Sequence, residues 1–457
     1  MFHQPEKIPE VDASTQYRFD QGHLVGELAK KIYPGGIDIP TDFKANLDKT
    51  KELLKKDKPL FEAGVMIKQI YARADILVPV EDEWDIVEVK SSTSVKEENV
   101  QDVSFQKFVY ERAGISIRKC FILHINNEFV RKGEIDPKQL FVMEDISKEV
   151  NKASVDIQER IEEMLKIIAS PTMPKVKISH ACHNPYTCRV EECWEHLPEH
   201  NVFHLYRVGK KAFDLVENGV MDLEEVPEDF KATDIQMIQV KCSKTKCPHI
   251  NKAEIKKFLG LLDEPVHYLD FETFATAIPL FDGTKPYQAI PFQFSLHVGK
   301  KHHSFLASSK DDPRKDFLDA LKKAIGSTGS IVVYNQAFEQ GRLKELALAF
   351  PASKEWIDSL ILRMIDLLIP FRCFHYYHPS QKGSASIKEV LPALTGKSYN
   401  GDIADGGTAS LSFLTMVQED TSKAAKLKIK KDLEDYCGLD TEGMRWIVER
   451  LGEMMKE

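Results

Sequence analysis

The sequence has no long apolar run and few cysteines for its length. Its 457 residues include 8 cysteines, and no apolar stretch reaches the roughly 20 residues that a transmembrane helix needs. The polar start of the chain does not resemble a secretory signal peptide. The cysteines are too sparse for the disulfide framework of a small secreted domain. We therefore expect a cytoplasmic protein without a membrane partner.

Positive charge is also in short supply. Lysine and arginine total 62 against 71 aspartate and glutamate, which gives a net charge of -9 and a pI near 6.0. This balance argues against non-specific binding of nucleic acid over the whole surface, although it leaves room for a local basic groove. A hydrophobic content of 42% supplies real cores, and the length predicts two or three domains.

The most informative segment runs over residues 268–274, with the sequence YLDFETF. In a strand, alternate side chains share a face, so Asp270 and Glu272 project together while Leu269 and Phe271 face the other way. Adjacent carboxylates repel each other, and a divalent cation between them relieves that repulsion. Oxygen ligands suit Mg²⁺ or Mn²⁺. The alternative is a half-buried strand with two solvated acids.

Two downstream segments carry further acids. An apolar run ends at Asn335 and a helical pattern follows, which places Glu339 in the first helical turn. Such strand ends often hold ligands in open α/β sheets, although an acid at a helix N-terminus is also favoured by the helix dipole. Tyr436 and Asp440 are spaced to share one face of a late helix, which is otherwise an ordinary amphipathic helix.

In order and spacing, these segments resemble the DEDD exonuclease superfamily, with its RNase H-like fold, in the tyrosine-containing subclass. The resemblance implies a 3′–5′ exonuclease that uses two metal ions to hydrolyse phosphodiester bonds. It implies that Tyr436 orients or deprotonates the attacking water. The implied metal ligands are Asp270, Glu272, Glu339 and Asp440. The superfamily usually has Asp at the position of Glu339, and the longer side chain would shift the metal spacing.

The first half of the chain carries a second set of polar residues. Residues 18–33 are predicted to form a helix, residues 74–80 and 84–90 two strands, and residues 103–112 another helix. Glu88 and Lys90 would share one strand face, which is also common in a plain surface ladder. The other polar residues in this order are His23 and Glu27 on the first helix, Asp75 on the first strand, and Gln106 and Tyr110 on the second helix.

This order resembles the PD-(D/E)XK nucleases, in the RecB-type branch that includes the CRISPR-adaptation exonucleases. The resemblance implies that His23, Asp75 and Glu88 bind a metal. It implies that Lys90 positions or activates the attacking water and offsets charge on the phosphate. The side chains expected to line the site and contact the nucleic-acid strand are Glu27, Gln106 and Tyr110.

Three cysteines, Cys182, Cys188 and Cys193, lie close together after this region. Clustered thiols in a cytoplasmic protein suggest a metal site. RecB-type nucleases of this kind often hold an iron–sulfur cluster on three such cysteines and a fourth upstream, but no cysteine precedes the first helix here. Either the cluster is lost, or the recorded start omits a segment, or a Cys3His zinc site is completed by His180, His183 or His196.

We therefore predict a mixed α/β protein with a PD-(D/E)XK restriction-endonuclease-like domain over 1–200, a helical connector over 201–254 and an RNase H-like domain over 255–457. The whole arrangement resembles a family of uncharacterised bacterial proteins that join these two nucleases. The expected partner is DNA or RNA, single-stranded or with free ends. Lys388 is expected to contact phosphate, and Asp366 to support the acids.

Two alternatives to this function stay open. In one, a single domain cleaves and the other binds nucleic acid. In the other, the protein is a scaffold whose acids are relics. The sequence leaves the oligomeric state open.

Overall fold

A computed structural model describes residues 5–399, 401 and 403–456. The chain divides into two compact units. Unit 1 contains the residues up to Val176 together with Ala275–Gln288, and unit 2 contains Lys177–Phe274 and the residues from Ala289 onward. These limits differ from the predicted domains, because the cysteine segment and the connector fall in unit 2. The predicted mixed α/β fold is confirmed.

Unit 1 is built on a six-stranded sheet whose strands follow their order in the chain. The first and second strands pair in parallel, as do the fourth and fifth, and the other pairs are antiparallel. The strands are β1 (Ile37–Asp38), β2 (Leu60–Ile67), β3 (Ile70–Val80), β4 (Glu83–Lys90), β5 (Ile117–Ile125) and β6 (Phe141–Asp145). The helices are α1 (Ala13–Lys30), α2 (Phe43–Leu53), α3 (Glu97–Arg112), α4 (Pro137–Leu140), α5 (Ser147–Ala153) and α6 (Ile157–Ala169).

Helices cover both faces of this sheet, because alternate strand residues enter different cores. Ile76 of β3 joins Val25 of α1 in one apolar cluster, whereas its neighbour Leu77 joins Val109 of α3 in another. The parallel β4–β5 pair needs a crossover connection, and α3 supplies it. Asp12 caps α1 by accepting a hydrogen bond from the Thr15 amide at 2.7 Å. The helices and strands predicted in this region are confirmed.

Unit 2 contains a mixed five-stranded sheet with the order β10-β9-β8-β11-β12. β8, β9 and β10 pair antiparallel, and β11 is parallel to both of its neighbours. The strands are β8 (His267–Phe274), β9 (Ile290–Val298), β10 (Lys301–Leu306), β11 (Ile331–Val333) and β12 (Met364–Asp366). A separate two-stranded sheet joins β7 (His249–Ile250) to β13 (Tyr376–Tyr377).

The helices of unit 2 are α7 (Lys211–Glu217), α8 (Asp234–Thr245), α9 (Lys252–Leu259), α10 (Arg314–Ala324), α11 (Gln336–Ala349), α12 (Lys354–Ile361), α13 (Ile369–Arg372), α14 (Ile387–Thr395), α15 (Gly406–Met416) and α16 (Lys423–Met454). Within the predicted helical connector, α7 begins only at Lys211, because Arg207 and Gly209 adopt positive φ angles of 51° and 57° just before it. Among the described residues, no helix is both long and apolar enough to cross a membrane.

The central strand β8 separates two cores in unit 2. Leu269 and Phe271 pack with Phe317 of α10 on one face. Tyr268 packs with Met444 of α16 on the other face. Asp270 and Glu272 alternate along β8 with Tyr268 and so lie on the same face of the strand, as their spacing predicts. That face is directed toward the long helix α16.

Candidate active sites

Strand β8 and helix α16 bring two carboxylates and one thiol together in unit 2. The ligand atoms of Asp270, Glu272 and Cys437 all lie within 4.8 Å of one another. The Cys437 thiol donates to Oδ2 of Asp270 at 3.6 Å. Among the residues that the structure describes, no other group of three or more His, Cys, Asp or Glu side chains has its ligand atoms this close together.

Asp440 lies almost one helical turn beyond Cys437 and faces the same acids. Its Oδ1 accepts a hydrogen bond from the Tyr399 hydroxyl at 2.5 Å. Burial raises the pKa of Asp440 to about 6, against the opposing effects of the Tyr399 hydrogen bond and the Lys388 charge. Tyr436 is buried beside Asp440, and burial followed by the Asp440 charge raises the pKa of its phenol above the usual range.

Glu339 lies in the first turn of α11, as predicted, and is only 2% exposed. Its Oε2 has no hydrogen-bond partner among the described residues. Burial, followed by the charge of Asp270, raises the pKa of Glu339 well above its ordinary value. Glu339 lines a cleft of about 500 Å³ together with Asp270 and Glu272. The residue that carries the unpaired oxygen therefore lines the same cleft as the strand acids.

A turn at the end of β11 fixes the position of Glu339. Asn335 adopts the left-handed conformation with φ at 82°, and its amide donates to Oδ1 of Asp366 at 3.0 Å. The amide of Leu368 donates to the same oxygen at 2.9 Å. Asp366 thus ties the end of β11 to the end of β12, and its expected support of the acids stays a prediction.

The strand acids are held in an environment that opposes their ionisation. Burial, together with the charge of Asp440, raises the pKa of Glu272 to about 8. Burial and then the charges of Asp440 and Glu272 raise the pKa of Asp270 well above its ordinary value. Buried carboxylates that repel one another are stabilised by a cation between them. The electrostatics of the cleft therefore favour a bound cation.

Lys388 supplies positive charge at the edge of this acidic group. Its amino nitrogen lies 5.1 Å from the centre of the Tyr436 ring and 5.9 Å from that of Tyr399. It also donates a hydrogen bond to the carbonyl of Ala404. The position is compatible with the predicted phosphate contact, which stays a prediction.

A polar cavity of about 580 Å³ adjoins the acids through Tyr399 and Tyr436. The rings of His297 and His302 line it and stack with their centres 4.3 Å apart. Burial, followed by the charge of His302, lowers the pKa of His297 to about 4. Nδ1 of His297 lies 2.8 Å from the Thr441 hydroxyl, at hydrogen-bonding distance. His297 is therefore neutral at neutral pH and brings no charge to the cavity.

Three predicted acids, Asp270, Glu272 and Glu339, thus line one cleft. The charge of Asp440 acts on two of them, but the sequence missed several neighbours. Tyr399 has no recognisable spacing to Asp440, which follows it by 41 residues. Asp405 caps α15 by accepting from the Thr408 amide at 2.8 Å, and its charge reaches Glu272. Cys437 was detectable, because it directly follows Tyr436 on the same helix.

In unit 1 the predicted strand residues form a hydrogen-bonded network. The Lys90 amino group donates to Oε1 of Glu88 at 2.7 Å and to Oδ2 of Asp102 at 2.9 Å. Gln106 donates to the other oxygen of Glu88 at 2.9 Å. Oδ2 of Asp75 accepts from the Val89 amide at 2.8 Å. Asp102 is a member of this network that sequence reasoning missed.

Burial also sets the ionisation of this network. It raises the pKa of Glu88 to about 8 and that of Asp75 to about 6. Burial alone would lower the pKa of Lys90, but the Glu88 and Asp102 charges raise it above its ordinary value. Lys90 is therefore a fixed positive charge beside two buried carboxyl groups at neutral pH.

The structure contradicts one predicted contact in unit 1. Tyr110 is 0% exposed, and its hydroxyl donates to the carbonyl of Ala63 and accepts from the amide of Ala74 at 3.1 Å. It joins β2 to β3 inside the core. The predicted contact of Tyr110 with a nucleic-acid strand is wrong, because no surface of the side chain is available.

Two predicted site residues lie on α1. Glu27 is exposed and pairs with Lys30 at 2.6 Å, which also binds Asp38 at 2.7 Å. His23 is exposed. In the described part of the chain, His23 does not join Asp75 and Glu88 in a group with all ligand atoms within 4.8 Å. A metal site formed by His23, Asp75 and Glu88 stays a prediction.

The cysteine segment folds into short turns with partly buried thiols. The Cys188 amide donates to the carbonyl of Cys182 at 2.7 Å, and the Trp194 indole donates to the carbonyl of Cys188 at 3.0 Å. Burial, followed by the charges of Cys188 and Cys182, raises the pKa of Cys193. Among the described residues, Cys182, Cys188 and Cys193 do not belong to a group of three ligands whose atoms lie within 4.8 Å of one another. An iron–sulfur or zinc site here stays a prediction.

The histidines that could complete a zinc site are placed differently. The ring of His183 packs 5.4 Å from that of Trp194 and 5.1 Å from that of Phe213, and His180 packs 4.7 Å from Phe213. His196 is exposed. The first two side chains therefore contribute to an aromatic cluster.

Comparisons with known proteins reach part of this chain. A family model described as a domain of unknown function (DUF2779) matches residues 267–386, which include Asp270, Glu272, Glu339 and Asp366. The chain is 26% identical over 229 residues to uncharacterized protein MG366 of Mycoplasma genitalium, covering 42% of this chain and 32% of that protein. It is 28% identical over 215 residues to the MG366 homolog of Mycoplasma pneumoniae, covering 40% and 31%.

The chain spans about a third of the length of these curated relatives. No solved structure matches it. The descriptions of the family and of the relatives name no ligand or reaction.

Proposed function

We propose that unit 2 is a metal-dependent nuclease that removes nucleotides from DNA or RNA as a 3′–5′ exonuclease. The observation that carries this proposal is the buried Glu339 side chain, which has an unpaired carboxylate oxygen and lines the same cleft as Asp270 and Glu272. A buried carboxylate oxygen without a partner is costly unless a ligand satisfies it. The mixed sheet with its acids on the central strand agrees with the RNase H-like architecture that the motifs imply.

The residues present fit divalent cations with hard oxygen ligands. Carboxylates from a strand and two helices supply such oxygens, and burial, followed by repulsion between neighbouring acids, raises their pKa values in the absence of a cation. The residues that would hold Mg²⁺ or Mn²⁺ are Asp270, Glu272, Glu339 and Asp440. When bound, a pair of cations would stabilise the attacking and the leaving oxygen of phosphodiester hydrolysis.

Tyr436 and Lys388 have separate roles in this proposal. The phenol of Tyr436 keeps its proton at neutral pH, because burial and the neighbouring carboxylates raise its pKa. It would therefore orient a water molecule by hydrogen bonding. Lys388 would attract the phosphate of the strand, since its ammonium group lies beside the same ring.

The network of unit 1 favours a second candidate site in the same chain. Lys90 lies between Glu88 and Asp102, and Gln106 fixes the free oxygen of Glu88. Such an arrangement of a buried acid and a fixed lysine would position a phosphate and the water that attacks it. The alternative is that unit 1 binds the nucleic acid and unit 2 alone cleaves.

A nuclease assay tests the proposal. The wild-type chain, with Mg²⁺ or Mn²⁺, should shorten 5′-labelled single-stranded DNA or RNA stepwise from the 3′ end, and a blocked 3′ end should stop it. Asp270→Asn should lose at least about a hundredfold in rate, the order of magnitude by which loss of one transition-state-stabilising group slows an enzyme. Lys90→Ala is the matched variant, and it should retain stepwise shortening.

The same assay distinguishes the alternatives. Cleavage that persists in Asp270→Asn and disappears in Lys90→Ala would transfer the activity to unit 1. Absence of cleavage of every substrate by the folded wild-type chain would contradict the proposal.

A further inference from the structure

One buried thiol beside the strand acids has no role in the proposed hydrolysis. The Cys437 side chain is 0% exposed and its sulfur lies 3.6 Å from Oδ2 of Asp270. With Glu272, these side chains place their ligand atoms within 4.8 Å of one another. Two oxygen ligands and one sulfur ligand therefore surround a common point.

Separate elements hold this group in place. Asp270 and Glu272 are alternate residues of the central strand β8 and project from the same face. Cys437 belongs to α16, three residues before Asp440, so the thiol and that carboxyl group share one helix face. Because strand and helix pack together around the buried residues of both, the group is built into the fold.

An independent observation points to a ligand at this position. Glu339 comes from a third element, α11, and is 2% exposed. Its Oε2 lacks a hydrogen-bond partner among the described residues, and the residue lines the cleft that Asp270 and Glu272 also line. A cation in the cleft would supply the missing partner of this oxygen.

We propose that Asp270, Glu272 and Cys437 form a mixed carboxylate and thiolate site that binds soft divalent cations, such as Zn²⁺ or Cd²⁺, more tightly than Mg²⁺. Thiolates select soft metals, whereas carboxylates alone suit Mg²⁺ and Mn²⁺. On binding, a metal–sulfur bond replaces the S–H bond of Cys437, and the proton passes to the solvent. The cation stays divalent, so no electron is transferred.

This inference rests on the proposed function in one respect, because it uses the same acids. A soft cation on Asp270 and Glu272 would exclude Mg²⁺ from them. The nuclease would then be subject to inhibition by free zinc, with Cys437 as the residue that makes it sensitive.

The test is a titration of the full chain with Cd²⁺ in the absence of nucleic acid. Binding is followed by calorimetry and by the ultraviolet absorption that thiolate ligation of Cd²⁺ produces. Cys437→Ser should remove the contribution of one thiolate and lower the affinity of one site at least about tenfold, since even loss of a supporting partner costs that much. Cys120→Ser is the matched control, because Cys120 is buried in the apolar core of unit 1, and it should leave both signals unchanged.

A second variant keeps the inference falsifiable if Cys437→Ser does not fold. Asp270→Asn retains the thiol but removes a charged ligand, and it should also lower the affinity for Cd²⁺. Circular dichroism establishes that each variant is folded. Identical absorption and isotherms for the wild type and folded Cys437→Ser would overturn the inference, as would unchanged binding by Asp270→Asn.

The outcome is separable from that of the nuclease assay. A chain that binds Cd²⁺ through Cys437 but cleaves no substrate would overturn the proposed function alone. A chain that cleaves with Mg²⁺ while Cys437→Ser binds Cd²⁺ like the wild type would overturn the inference alone.

Discussion

Glu272 is a buried carboxyl group beside other acids in the cleft of unit 2, so both burial and the neighbouring charges oppose its ionisation. It is 6% exposed, and the charges of Asp440 and Glu339 act on it against that of Lys388. Folding places an acid in such surroundings only at a cost in free energy. Acids with strongly shifted pKa values cluster at functional sites, where catalytic groups often lower the stability of the fold.

This conflict predicts how stability depends on pH. The pKa of Glu272 is about 8 in the folded chain against an ordinary value of 4.5, so the folded state binds its proton more tightly than the unfolded state. The stabilisation is complete below the unfolded pKa and is lost as the pH rises through about 8. The free energy of unfolding of the metal-free chain should therefore decrease as the pH rises from 4.5 to about 8.

Urea unfolding at a series of pH values measures this effect. Glu272→Gln cannot ionise, so its free energy of unfolding should decline less steeply over the same range. Equal slopes for the two chains would show that Glu272 does not titrate as the structure implies.

At the scale of the element, periodicity predicted much of the site and sequence distance hid the rest. Alternation along β8 was enough to place Asp270 and Glu272 opposite Leu269 and Phe271, because a strand has a period of two. The hydrogen bond from Tyr399 to Asp440 could not be predicted, since it joins residues 41 positions apart through the packing of the unit. Local patterns carry no information about such contacts.

The same limit explains the error over Tyr110. Its spacing from Gln106 on α3 correctly predicts a shared helix face, but that face continues from the site into the core. Gln106 reaches Glu88, whereas Tyr110, one turn further, lies between β2 and β3. A helix face can therefore begin at a polar network and end in a core.

The role of Tyr110 as a link between strands predicts a loss of stability. Tyr110→Phe removes the hydroxyl and leaves the Ala63 carbonyl and the Ala74 amide without this partner. Unit 1 should lose roughly 1–3 kcal/mol of unfolding free energy, the cost of an unsatisfied buried group. Denaturant unfolding measures it.

Tyr287→Phe is a suitable control, because the Tyr287 hydroxyl binds the carbonyl of Ser91 in the same unit but the side chain is 41% exposed. Water can replace that bond, so the loss should be smaller. Unchanged stability of Tyr110→Phe together with weaker binding of nucleic acid would restore the original prediction of a direct contact.

At the scale of the whole molecule, the sequence predicted two α/β regions but not how the chain is shared between them. Residues 275–288 lie between β8 and β9 in the sequence, yet they belong to unit 1. Arg131 binds the carbonyls of Pro279 and Leu280 at 2.9 and 2.8 Å, across nearly 150 positions of sequence. Contacts of this range decide domain membership, and no local pattern reports them.

The central claim is that the acids of unit 2 form a divalent cation site. The most direct test is a calorimetric titration of the full chain with Mn²⁺, comparing the wild type with Asp270→Asn. Asp319→Asn is the matched control, because Asp319 is an acid on the exposed face of α10 that pairs with Lys315.

Asp270→Asn should lower the Mn²⁺ affinity of the unit 2 site at least about tenfold, whereas Asp319→Asn should bind Mn²⁺ like the wild type. Indistinguishable Mn²⁺ isotherms for the wild type and a folded Asp270→Asn would contradict the account.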